Sequence, residues 1–431
     1  MKEVNFETIK KVHCIGIGGI GISAVARMFL LRGVEVSGSD LTASEITTEL
    51  EKIGANIFIG TEPCRLSEET DLVIFTVAIP ENHPEFLDAK AKGIPTISYP
   101  QSLGLISKNH FVIAVAGTHG KTTTTAMVAK ILIEAGLDPT VIVGSLLRES
   151  KSNFIGGKSK YFVVEACEYQ RSFLNIKPDI AIITNIDDDH LDYYGSLAGV
   201  QAGFREFIGL IKEGGTLVTD VENKKIKPIL SDPQIHVFDY AAVELKVSPG
   251  VPGVHNVQNA KAAFVVGKIL GISEEKIISS LKKFSGTWRR FEEKGQTAHG
   301  VFVYDDYAHH PSEIRATLQA AREKFPNSKI VVVFQPHLYS RTKEHLEEFG
   351  EAFSLANEVV VLPIYAAREP KDDTINSEML TNKIRGAGLV AHHFLNFASV
   401  KEYVDMNLKS GDVLVSMGAG DIAKLPEIIL K

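Results

Sequence analysis

The segment Ala116-Gly117-Thr118-His119-Gly120-Lys121-Thr122-Thr123 follows directly on the apolar run Val112 to Val115 and opens a helical pattern. A glycine turn between a buried strand and a helix start commits the chain to an open sheet with an anion cradle at the strand's carboxyl end. Two residues separate the glycines, against four in the commoner P-loop, but the physics carries over. Backbone N–H groups along Gly117, Thr118, His119, Gly120 and Thr123 wrap phosphates, Lys121 reaches the β- and γ-oxygens, and the Thr122 hydroxyl can sit on Mg²⁺. ATP and Mg²⁺ are the expected cofactors. A tight turn with an incidental lysine is the structural alternative, weakened by the full order of strand, loop, Lys-Thr-Thr and helix.

The same alternation recurs along the chain. β-branched runs at Val12 to Ile17, Val34 to Ser37, Leu72 to Val77, Phe162 to Glu165 and Ile180 to Thr184 are each followed by a helical pattern, which predicts α/β architecture with parallel sheets covered on both faces. A length of 431 residues exceeds one core and implies two or three domains. Another glycine turn, Gly16-Ile-Gly-Gly-Ile-Gly21, comes first in the chain, about 100 residues earlier, and one open sheet rarely carries two phosphate cradles. The first boundary is therefore expected near Ser107 to His110.

After a helix predicted over Asn259 to Leu270, a fresh strand starts at Val301, placing the second boundary between Thr287 and Gln296. The pattern then restarts. A helix from Ser312 to Phe325 carries Ile314, Leu318, Ala321 and Phe325 on one face, and strands follow at Ile330 to Phe334, Glu358 to Leu362 and Val413 to Ser416. The expected domains are 1–107, Rossmann-like; 108–288, a P-loop ATPase fold on a parallel sheet; and 289–431, again Rossmann-like.

Composition narrows the partners. A net charge of -7 gives no general pull toward nucleic acid. The three cysteines, Cys14, Cys64 and Cys167, form no close pair, which fits a reducing cytoplasm. No apolar run reaches the roughly 18 residues a membrane span requires, and the N-terminal stretch lacks a cleavage site.

Other residues have more than one reading. Glu165, ending the strand from Tyr161, could hold Mg²⁺ directly or through water. His190 follows Asn185-Ile-Asp-Asp-Asp, and because Mg²⁺ prefers oxygen, a helix-capping or hydrogen-bonding histidine is the commoner reading. The turn containing Gly16, Gly18, Gly19, Ile20 and Gly21, with Asp40 placed to meet a ribose hydroxyl, taken alone favours a nicotinamide-dependent dehydrogenase, yet the same turn binds any pyrophosphate. In the C-terminal third, Asp305-Asp-Tyr-Ala-His-His-Pro311 and Gln335-Pro-His-Leu-Tyr-Ser-Arg341 lie at strand ends, where catalytic groups gather. His309, His337 and Arg341 are candidates for substrate contact, with structural roles equally open.

Taken together, Gly-Thr-His-Gly-Lys-Thr-Thr, Glu165-Ala-Cys-Glu-Tyr, Thr184-Asn-Ile-Asp-Asp-Asp-His-Leu-Asp and Pro252-Gly-Val-His-Asn-Val-Gln-Asn-Ala resemble the Mur ligase family, and the resemblance covers essentially the whole chain. It implies that Lys121 and Thr122 bind nucleotide and metal, that Glu165 and His190 help hold a second Mg²⁺, and that Asn256 and Asn259 contact adenine. An Asn pair at a helix start reads equally as capping. The C-terminal segments, with Tyr365-Ala-Ala-Arg-Glu-Pro and Gly418-Ala-Gly-Asp-Ile, are similar to those of the members that add L-alanine to UDP-N-acetylmuramate. The first glycine turn, Asp40, Thr76 and Ala78 would then lie near the UDP moiety, and Lys121, His190, His309, His337 and Arg341 would be the catalytic set. Related members that attach a recycled peptide share the first two domains' motifs.

Three departures from the family pattern stand out. Leu338 replaces an arginine, which puts one amino-acid contact in question; Cys167 replaces an aspartate; and only about 60 residues separate His190 from Pro252, which implies fewer central strands.

Overall fold

The structure, a computed structural model, describes residues 4–62, 66–80, 82–230, 235–367 and 369–431. The chain forms two compact units, one of Met1–Val247 with Gln258–Phe284, the other of Ser248–Val257 with Ser285–Lys431.

The first unit contains two sheets among the described residues. Strands β1 (Lys11–Ile15), β2 (Glu35–Asp40), β3 (Asn56–Ile59), β4 (Leu72–Phe75) and β5 (Thr96–Ser98) pair in parallel in the order β3-β2-β1-β4-β5. The second sheet runs β12-β11-β10-β6-β9-β7-β8, from β6 (Phe111–Ala116), β7 (Thr140–Leu147), β8 (Ser152–Ile155), β9 (Tyr161–Glu165), β10 (Ile180–Ile183), β11 (Thr216–Thr219) and β12 (His236–Asp239). Its interior strand β10 is apolar and buried at every position, as a strand covered on both faces must be. The two sheets share one continuous core, from Val12 and Phe29 to Phe162, Phe173 and Phe204. Asn153 on β8 joins them further, donating to the Ile20 carbonyl and to Ser23 Oγ at 2.8 Å.

The second unit carries β13 (Glu292–Gln296), β14 (Phe302–Asp306), β15 (Ile330–Phe334), β16 (Glu358–Val361), β17 (Val390–His393) and β18 (Val413–Met417), in the order β13-β14-β18-β15-β16-β17. Alternation along the strands builds a core on each face: Val332, Phe334, Val413 and Val415 on one, Val331, Val333 and Leu414 on the other.

The α/β class is as expected, and both glycine turns sit at carboxyl ends, after β1 and β6. The sheets are not wholly parallel, however. β8 pairs antiparallel with β7, and β13 with β14, because each is an edge strand reached by a short return that allows no crossover helix. The helix predicted from Asn259 begins earlier, at Val254. No helix among the described residues is long and apolar enough to cross a membrane. Cys14 is buried and Cys167 exposed, both as free thiols, while Cys64 lies outside the described residues.

Candidate active site

At the end of β6 the backbone turns through Gly117 (φ 133°) and Gly120 (φ 82°) into the helix Lys121–Glu134. Both glycines are required. A Cβ on Gly117 would lie 2.0 Å from Thr184 Oγ1, and one on Gly120 would lie 2.4 Å from Asn259 Oδ1. The loop is fixed from behind by the two residues that follow β10. Asn185 accepts from the His119 N–H at 2.9 Å and donates to the His119 carbonyl at 3.0 Å, and Thr184 Oγ1 donates to that carbonyl at 2.6 Å. The first N–H groups of the helix have no intrahelical acceptor and face the cradle with the positive end of the helix dipole.

Lys121 Nζ donates to the Gly117 carbonyl at 2.6 Å, the Thr118 carbonyl at 2.9 Å and Glu168 at 2.9 Å. Burial works against its charge, but Glu168, with Cys167 and Glu165, outweighs burial and holds its pKa above the usual lysine value. Thr122 Oγ1 donates to Glu165 Oε1 at 3.1 Å, while Glu165 Oε2 accepts from the Gly144 N–H at 2.7 Å. Thr122 and Glu165 thus place a hydroxyl and a carboxylate side by side at the loop, a hard-oxygen pair of the kind Mg²⁺ prefers.

His190 has a left-handed backbone (φ 56°) before the short helix Leu191–Tyr194 and makes no side-chain cap hydrogen bond, so the capping reading fails. Its ring packs on Tyr169 with centroids 4.7 Å apart, and Nε2 lies 3.8 Å from Glu168 Oε1. Glu168, 2% exposed, therefore faces both Lys121 and His190. In the sequence this glutamate has no signal of its own beyond standing three residues after Glu165. Asp187 was also missed. It receives His119 Nε2 at 3.4 Å and Lys225 Nζ at 2.6 Å, and the His119 bond, ahead of opposing burial, depresses its pKa strongly.

Asn259 touches the loop at Gly120, as noted. Asn256 instead donates to the Pro252 carbonyl at 2.6 Å, a local bond within the second unit.

The first glycine turn gathers its expected residues. Gly16 (φ 76°) lies against Thr76, whose methyl would be 2.6 Å from an added Cβ, and Ala78 N–H is 3.4 Å from Thr76 Oγ1. Asp40 Oδ2 accepts from the Gly18 N–H at 2.8 Å, so this carboxylate braces the loop itself. Gly19 precedes the helix Ile20–Leu31, and Gly21 is held to hydrogen by the ring of Tyr99.

In the second unit, His309, His337 and Arg341 converge. The two imidazoles are 6.0 Å apart in a T-shaped contact, Arg341 Nη1 is 3.2 Å from His337 Nδ1, and Tyr365 stacks on His337. His309 is oriented by the Tyr307 carbonyl at 3.0 Å and Glu313 at 3.2 Å. Leu338 adopts φ 70°, its N–H bonded to the Tyr365 carbonyl at 2.9 Å. Gly418 and Gly420 close against Gln335 and Tyr365. Arg368 of the Tyr365 segment lies outside the described residues.

Three family models match in series: the Mur ligase catalytic domain over residues 11–111, the middle domain over 115–241, and the glutamate ligase domain over 289–420. The UDP-N-acetylmuramate–L-alanine ligase of Clostridium kluyveri is 43% identical across 98% of both chains, and that of Clostridium perfringens is 40% identical across 100% of this chain and 99% of its own. The chain belongs to the Mur ligase family. Among solved Mur ligases, the UDP-N-acetylmuramate–alanine ligase of Thermotoga maritima superposes with a TM-score of 0.82 at 30% identity, covering 97% of this chain and 98% of that one. A murein peptide ligase from Psychrobacter arcticus, 24% identical, shares the fold with a TM-score of 0.73 over 98% of each chain. Within this Mur ligase, the interval from His190 to Pro252 contains β11 and β12.

Proposed function

We propose that this chain is an ATP-dependent ligase joining L-alanine to the carboxylate of UDP-N-acetylmuramate in peptidoglycan synthesis. The observation that carries the reading is identity of 43% along 98% of both chains to a ligase of that name.

A carboxylate does not condense with an amine at neutral pH, because its oxygen is a poor leaving group. In the reaction we assign, a muramate carboxylate oxygen attacks the γ-phosphorus of ATP and the bond to the bridging oxygen breaks, giving an acyl phosphate and ADP. The amine of L-alanine then attacks the acyl carbon, the carbon–oxygen bond to phosphate breaks, phosphate leaves, and the amine proton is lost.

In this scheme the glycine cradle holds the β- and γ-phosphates, and Lys121 offsets the charge spreading over the transferred oxygens, a contribution that commonly dominates phosphoryl transfer. Mg²⁺, when bound, supplies further charge neutralisation, with Thr122, Glu165 and His190 as its proposed ligands. Asn256 and Asn259 are assigned to the adenine. Gly16, Gly18, Gly19, Ile20, Gly21, Asp40, Thr76 and Ala78 are assigned to the UDP group, and His309, His337 and Arg341 to the amino acid and acyl phosphate. Residues 1–107, 108–288 and 289–431 would serve UDP-sugar, ATP and amino acid in turn, in the cytoplasm where ATP is available.

Phosphate release from ATP and Mg²⁺ tests the reading. It is expected only when UDP-N-acetylmuramate and L-alanine are both present, and it should vanish in Lys121→Ala. Release with a tripeptide in place of L-alanine, and none with L-alanine, would reassign the chain to peptide recycling.

A further inference from the structure

An ammonium group has three N–H donors, and those of Lys121 are all engaged within the first unit, two by loop carbonyls and one by Glu168. The carboxylate lies 2.9 Å from Nζ through each oxygen, and at 2% exposure it cannot turn to water instead. Its backbone is pinned as well, since the Glu168 carbonyl accepts from the Tyr194 hydroxyl at 2.5 Å. A buried carboxylate and a nucleotide phosphate would therefore compete for one cation, and whichever loses is left as an uncompensated anion.

We infer that Glu168 is a positioning residue that competes with nucleotide phosphate for Lys121, so that nucleotide binding must draw the lysine away from it. The inference rests on the P-loop being the nucleotide site. It also gives His190 a second meaning. His190 Nε2 lies 3.8 Å from Glu168 Oε1, so a cation held beside this histidine would replace the charge that Lys121 withdraws. Nucleotide and divalent cation should then bind cooperatively, each lowering the cost of the other.

The test is calorimetric titration with ADP, first with a chelator and then with Mg²⁺, on the full chain. Glu168→Gln removes the competing charge and keeps the shape. Metal-free ADP should bind it about tenfold more tightly than the parent, since hydrogen bonds to charged groups are among the strong ones. Glu168→Ala should shift in the same direction, and Mg²⁺ should improve ADP affinity less in either variant than in the parent.

Unchanged or weaker metal-free binding in both variants, with Lys121→Ala losing ADP, would overturn the role of Glu168 and leave the nucleotide site standing. Failure of both variants to fold, judged by circular dichroism, would make Glu168 a structural counter-ion and overturn it equally. Lys121→Ala binding ADP as the parent does would overturn the P-loop reading itself.

Discussion

Arg341 donates a hydrogen bond to Nδ1 of His337 across 3.2 Å. A guanidinium has no acceptor and keeps its protons, so Nδ1 must be the accepting nitrogen and the ring carries its own proton on Nε2. The pair therefore fixes a tautomer as well as a position. Arg341→Ala should lower kcat/KM for L-alanine by about 10- to 100-fold, the worth of a hydrogen bond to a charged group. Arg341→Lys should recover little, because an ammonium cannot reproduce the planar fork. Steady-state rates at varied L-alanine check this, and a lysine variant matching the parent would refute it.

Gly117 admits no side chain. Its φ of 133° is strained for any other residue, and a Cβ would meet Thr184 Oγ1 at 2.0 Å. Gly117→Ala is expected to cost about 2–5 kcal/mol from strain and overpacking together. Urea unfolding of the first unit measures the loss, and ADP titration of the folded fraction should show binding reduced beyond detection.

Behind the first glycine turn, His13 and Glu85 form a buried pair at 3.1 Å, and Glu85 also accepts from Ser39 Oγ at 2.6 Å. The Ser39 carbonyl in turn accepts the Gly16 and Ile17 N–H groups at 2.8 and 3.0 Å, so the network supports the turn from beneath. Glu85→Ala strands two buried polar partners and should destabilise by about 2–5 kcal/mol. Denaturant midpoints give the loss, and a raised KM for UDP-N-acetylmuramate at unchanged KM for ATP would localise it.

Asp306, buried at the end of β14, has its pKa pushed up by burial from 3.8 to about 6, against the pull of Arg290 and of the Phe291 and Ala308 N–H groups. Between those values the folded chain holds a proton that the unfolded chain has released. Stability from this group is therefore complete below about pH 4 and is lost as pH rises through about 6. The effect is on the order of 1–3 kcal/mol. Comparing unfolding midpoints of Asp306→Asn and the parent across pH 4 to 8 isolates it, and an identical slope in the two proteins would dismiss it.

The legible parts of this molecule are those where local sequence and tertiary environment agree. β6, β10 and β15 are unbroken apolar runs because they are covered on both faces, and the glycine turns announce backbone that no other residue fits. β13 reads Glu-Glu-Lys-Gly-Gln and carries no strand signal, because its pairing with β14 is imposed from outside the segment. β12, four residues long and largely exposed, is hidden for a similar reason. At the site, residue types that define the loop were readable one motif at a time. The ion pair of Glu168 with Lys121 and the clasp of Asp187 on His119 join residues 47 and 68 positions apart, separations at which no periodicity speaks.

The division of the chain into units sets how such an enzyme can be recombined. Phe29, Phe154 and Phe173 belong to one core, so a fragment ending at Ser107 would carry away half an interior and expose the rest. The second unit is assembled from two stretches of chain, taking Ser248–Val257 before the first unit resumes at Gln258. A chimera that borrows a third domain from another ligase should therefore import that ten-residue segment too, and a single splice after Phe284 would leave the borrowed unit wearing a foreign strap.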